Sequence, residues 1–135
     1  MTRRDVTRRD VIRDARAPGA DRALAGWTAL IAVLMLAPLD RFALPDLGSA
    51  SPLAALDKPV HFVLFFVLAV LAARSARGRA RWPLATAVAA SLLYGALLEA
   101  IQGLSGLRSA ELGDLVADGL GCSAAALIPA RWRRP

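Results

Sequence analysis

The 135-residue chain holds one cysteine, one histidine, one lysine and only 11 acidic residues. Each scarcity excludes something. Cys122 has no partner for an internal disulfide, and no paired-cysteine or Cys/His spacing exists to hold a structural zinc ion. His61, as the only histidine, is the one centre on which histidine-based catalysis could be built. Neither a GxSxG elbow nor a Walker loop occurs anywhere in the chain. The familiar soluble catalytic signatures are therefore absent.

What the chain has in excess is apolar length. Hydrophobic residues make up 56%, against about 45–50% in an average soluble domain with glycine counted, and the mean hydropathy is +0.46. The net charge of +6 comes from 17 basic residues, all arginine except Lys58. A nucleic-acid binder would spread such residues through a mixed sequence. Here the arginines bracket nearly charge-free runs, which points to a membrane protein and not to a nucleic-acid partner.

Four apolar runs lie at 23–39, 59–73, 82–98 and 115–130, the last containing Asp118. A hydrocarbon core of roughly 30 Å takes about 20 helical residues, so each run has to recruit polar flanks to cross. Four such runs in a soluble bundle would leave little polar surface for water. The expected fold is all-α: a four-transmembrane-helix bundle over 23–135, preceded by an arginine-rich tail, 1–22, too charged to pack a core and expected to be disordered.

Charge by segment orients the bundle. Residues 1–22 carry seven Arg and four Asp; 40–58 sum to −1; Arg74, Arg77, Arg79 and Arg81 are all positive; Glu99, Arg108, Glu111 and Asp114 sum to −2; Arg131, Arg133 and Arg134 close the chain. Alternating basic and acidic ends predict four spans with both termini cytoplasmic. Trp27, Trp82 and Trp132 fall near the basic ends, as interfacial anchors would. The first run follows a long charged lead-in and is not expected to be a cleaved signal.

The acidic ends carry the polar residues. A second span starting near Asp57 puts Asp57, Lys58 and His61 on one helical face, with Pro59 in the first turn. A third extends through Glu99 to Gln102, where Gly103 can end it. The fourth begins between Ser109 and Asp114 and places Asp118 one turn below Asp114. Ionisable residues inside spans are costly, about 2.5–3.5 kcal/mol on insertion scales, and face bundle interiors or wet cavities. Asp118 therefore needs a partner, with Lys58, His61 and Arg108 the available cations. Quieter roles stand beside this: Asp57 as a helix cap, Lys58 snorkelling to headgroups, Arg108 as a loop charge, Glu111 as an acid at a helix N-terminus, and Ser91/Gly95 and Ala117/Gly121/Ala125 as close-packing seams.

The segments Asp57-Lys58-Pro59-Val60-His61-Phe62, Tyr94-Gly95, Glu99-Ala100-Ile101-Gln102, Arg108 and Asp114-Leu115-Val116-Ala117-Asp118-Gly119-Leu120-Gly121 together resemble the VanZ-like family of small bacterial membrane proteins. The resemblance covers about residues 25–130. It departs from the family pattern at Asp118, where asparagine is usual, and at Ala125, where glycine often stands. It implies an integral protein of the bacterial cell envelope with a link to teicoplanin resistance, and supplies no mechanism.

Two functions follow. In the first, a non-enzymatic protein binds a lipid-linked or acylated envelope molecule in an outward-facing polar pocket formed by Lys58, His61, Glu99, Gln102, Arg108, Asp114 and Asp118, among membrane lipids and with no metal or cofactor. In the second, a membrane-embedded hydrolase or transferase acting on a lipid-linked substrate uses His61 as base, oriented by Asp57, with Glu99 as a further catalytic candidate, Arg108 stabilising developing charge, and Glu99, Asp114 and Asp118 able to hold a divalent cation. Transport would need a homo-oligomer of these short helices.

Overall fold

The computed structural model describes residues 18–37, 52–77, 80–106 and 111–129. Among the described residues there are four helices and no strand: α1 (Pro18–Leu36), α2 (Pro52–Ser75), α3 (Pro83–Ser105) and α4 (Leu112–Ala124), the last continued by a 3₁₀ turn, Ala125–Leu127. Short links join α2 to α3 and α3 to α4, so these neighbours run antiparallel. Side-chain bonds place α1 as well. Ser75 at the end of α2 donates to Asp21 in the first turn of α1 (2.5 Å). At the opposite end Gln102 of α3 donates to the carbonyl of Met35 in α1 (2.6 Å).

The helix ends differ from expectation where local chemistry overrides charge as a boundary marker. α1 starts at Pro18, inside the stretch read as tail, because a proline with an acid in the next turn is a good helix start. α2 starts at Pro52, so Asp57 is not its cap and Pro59 lies inside the helix; the run Leu53-Ala54-Ala55-Leu56 is strongly helix-forming. α3 continues through Gly103 and stops at Gly106, whose φ of 63° lets its N–H reach the carbonyl of Gln102 (3.1 Å). The rest of the 1–22 tail, Ser109, and the arginines and Trp132 after Ala130 lie outside the described residues.

α1, α2 and α3 have 19, 24 and 23 residues, or about 28–36 Å at 1.5 Å per residue. Each is long and apolar enough to cross a membrane. α4, with 13 residues, reaches only about 20 Å. The surface fits the same setting. Among the described residues fifteen large apolar side chains are exposed, Leu104 and Leu127 almost fully, while His61, Ser91, Glu99, Gln102, Asp114 and Asp118 are buried. Apolar outside and polar inside is the reverse of a water-soluble bundle and is compatible with a membrane protein.

α2 is the central helix, touching all three others. Its core contacts run through Phe65, Leu68 and Ala69 to Ile31 and Met35 of α1, Leu98 of α3 and Cys122 of α4. The small-residue seams are real and decide how closely α4 approaches. A Cβ on Gly121 would strike the carbonyl oxygen of Phe62, and one on Gly95 would meet Asp118 Oδ2 at 2.8 Å and the Phe65 ring at 2.9 Å. Of the tryptophans, Trp82 is exposed with Arg81 over its ring (5.8 Å). Trp27 is not an interfacial anchor: it is half-buried and donates to the carbonyl of Leu64 (2.9 Å).

Candidate functional site

The close approach of α4 to α2 sets the site. With no side chain at Gly121 and Gly95, Asp118 is carried into the bundle beside Phe65 and comes to rest on His61. His61 Nδ1 lies 3.0 Å from Asp118 Oδ1, and the two side chains are 4% and 1% exposed. An ionised carboxylate only accepts, so against the ionised form of Asp118 it is Nδ1 that carries the proton. The deepest acid of the last helix has the partner it required, and that partner is the histidine.

One turn toward the helix ends, Asp114 joins the group. Its Oδ2 stands 3.9 Å from His61 Nε2 and its Oδ1 stands 3.6 Å from Lys58 Nζ. Lys58 also reaches Glu111 (3.2 Å), both about half exposed, which forms the outer rim. The lysine stem passes over Gly113, where a Cβ would come within 2.7 Å of Cε. Glu99 of α3 closes the other side: its Oε2 accepts the backbone N–H of Glu111 (3.2 Å), placing a buried carboxylate at the positive end of α4. Asp57 lies on the same side, with a carboxylate oxygen within 4.8 Å of donor atoms of His61 and Asp114.

Lys58, His61, Glu99, Asp114 and Asp118 are thus brought together from three helices. Gln102 is at the same end and buried, but its amide is used to hold the end of α1 at Met35. Arg108 lies outside the described residues. The carboxylate hydrogen-bonded to His61 Nδ1 is Asp118, so the expected orienting role of Asp57 passes to Asp118. Two participants were not foreseen: Glu111, whose i,i+3 spacing from Asp114 marks it as a neighbour on the helix entry, and Gly113, which makes room for Lys58.

The site is a packed, hydrogen-bonded cluster with a charged rim. An open cleft of about 660 Å³ lies at the other end of the bundle, where Leu24, Thr28, Ala72, Ala76, Ala87 and Ala90 line a largely apolar groove between α1, α2 and α3. Tyr94, one turn deeper than Glu99, donates to the carbonyl of Thr28 (2.7 Å) and ties α3 to α1 between the two ends. Comparison of the chain with protein-family models, curated proteins and solved structures finds no match.

Proposed function

We propose that this chain is a VanZ-like integral membrane protein of the bacterial plasma membrane, with four spans, both termini cytoplasmic, and a site on the outer side that binds the polar head of a lipid-linked or acylated envelope molecule. One observation carries the reading: Glu99, Asp114, Asp118 and His61 are buried together at one end of a bundle whose exterior is apolar. Ionisable groups are not kept in such a place for stability, since apolar replacements commonly pack as well. Carboxylates predominate, which suits hydroxyl, amide and ammonium groups of the ligand. Lys58 and Arg108 are the groups for a phosphate or carboxylate. The resemblance extends the proposal to a role in resistance to teicoplanin-type lipoglycopeptides. Native mass spectrometry after mild extraction should show a co-purifying lipid that is lost in Glu99→Ala and in Arg108→Ala; bare protein in every mild extraction contradicts the reading.

A second reading is a membrane-embedded hydrolase, favoured by the His61–Asp118 pair. With Nδ1–H held by Asp118, Nε2 is presented toward the rim as a general base for water. Cys122 donates to the carbonyl of Phe65 (3.7 Å) and is buried, so it is not placed as a nucleophile. A change in mass of the bound lipid during incubation, abolished in His61→Gln, would select this reading; an unchanged lipid selects binding.

A further inference from the structure

Asp57 and His61 stand four residues apart on α2 and share a face. The approach of α4 brings Asp114 opposite them, so that one donor atom from each of the three lies within 4.8 Å of the others. Three features distinguish this group from an ordinary ion-pair network.

The first is the preset histidine. With Nδ1–H held by Asp118, the neutral imidazole has its lone pair on Nε2, and Nε2 faces Asp114 Oδ2 across 3.9 Å. That gap is too long for a hydrogen bond. It exceeds by about 0.5 Å the separation of roughly 3.4 Å between two ligands on a tetrahedral zinc ion, so a small side-chain rotation closes it. A carboxylate that orients a histidine whose other nitrogen meets a metal is a recurrent arrangement in metal sites.

The second is a buried oxygen held only by a long ion pair. The Asp114 side chain is 4% exposed, and its Oδ1 has no hydrogen-bond partner among the described residues. The ammonium of Lys58 is 3.6 Å away and is hydrogen-bonded to Glu111. An ion pair at that distance, without a hydrogen bond, only partly compensates a buried carboxylate oxygen. The third is charge: Asp57, Glu99, Glu111, Asp114 and Asp118 face Lys58 and a single imidazole, so the described end of the bundle carries excess negative charge.

We infer that Asp57, His61 Nε2 and Asp114 form a site for a divalent first-row transition ion of the zinc type, with Asp118 as the positioning partner of His61. One imidazole with two carboxylates is a donor set for zinc or manganese, whereas magnesium and calcium take oxygen ligands alone. Three protein ligands leave a coordination position for water or for an oxygen of a bound head group. The inference goes beyond the lipid-binding reading, adding a second kind of ligand at the same end of the bundle, and it is tested without lipid. Lys58 is the built-in competitor, and neutralising it strengthens the site.

The test is titration of tag-free, full-length protein in detergent with Zn²⁺ and, separately, Mg²⁺, followed by calorimetry and metal analysis. One Zn²⁺ per chain is expected, with at least about tenfold preference over Mg²⁺. Asp57→Asn and Asp114→Asn each weaken binding by about tenfold or more, and Asp118→Leu weakens it by about 10–100-fold. Lys58→Met strengthens it. Asp57 is only half-buried and asparagine has its shape, so unchanged helicity in Asp57→Asn separates a lost ligand from a lost fold. Absence of bound Zn²⁺ in both folded wild type and Lys58→Met overturns the inference, as does equal binding by Asp57→Asn. Neither result touches the co-purifying lipid, so the two readings fail separately.

Discussion

Replacing Gly121 by alanine tests whether helix contact at this one position builds the site. The added Cβ would fall on the carbonyl oxygen of Phe62, 3.0 Å from the carbonyl carbon of Phe62 and 3.1 Å from the amide nitrogen of Phe66. All three are backbone atoms, so no rotamer change relieves the overlap. Ordinary contact, about 3.5–4.0 Å, returns only if α4 withdraws from α2 by at least about 1.3 Å. Overpacking of this kind costs about 1–3 kcal/mol, and a rigid backbone places it at the upper end. Alanine returns nearly 1 kcal/mol through helix propensity. The expected net loss is about 2 kcal/mol, or roughly thirtyfold in the folding equilibrium. Gly26→Ala is the matched control: nothing lies within 4 Å of its Cβ, so it keeps the propensity gain, about 0.5–1 kcal/mol. Reversible unfolding in mixed micelles, followed by helicity, measures both. Gly121→Ala as stable as wild type, or more stable than Gly26→Ala, would refute the close α2–α4 contact.

Three further outcomes are expected. Asp118→Asn keeps an acceptor for His61 Nδ1–H and should lie within about 1 kcal/mol of wild type, whereas Asp118→Leu strands a buried donor at a cost of about 1–3 kcal/mol in micelle unfolding. Gln102→Leu removes the 2.6 Å bond to the Met35 carbonyl and should cost about 0.6–1.7 kcal/mol, with faster hydrogen exchange concentrated in the last turn of α1. Cys122, buried and pushed away from reactivity by its setting, should react with maleimide only after unfolding.

The helices were legible because their cause is local. Apolar runs between charges located all four, and the i+3 and i+4 spacing of Asp57, Lys58 and His61 assigned them to one face. Ends were less legible where a residue has two uses. Pro59 reads as a helix start yet sits inside α2, and Gly103 reads as a stop although Gly106 holds the left-handed turn. The site was legible as a set of residues at one end, since costly ionisable groups in apolar surroundings must converge. Which pairs form was not. Asp57 and His61 are neighbours in sequence, but Asp118 takes the hydrogen bond because glycines at 95 and 121 let α4 come close, and that depends on how whole helices pack. Trp27 shows the same limit: proximity to a basic end suggested an anchor, while packing turned its indole inward to Leu64.

In the proposed topology the rim of Lys58 and Glu111 faces outward, across the membrane from Arg81. Cys122 is the chain's only cysteine and is buried, so single cysteines at exposed positions report cleanly. Intact cells carrying Lys58→Cys should be labelled by a membrane-impermeant thiol reagent added outside. Arg81→Cys, at the link between α2 and α3, should be labelled only after the membrane is opened. The reverse pattern, or equal labelling of both positions in intact cells, would contradict the outward-facing site.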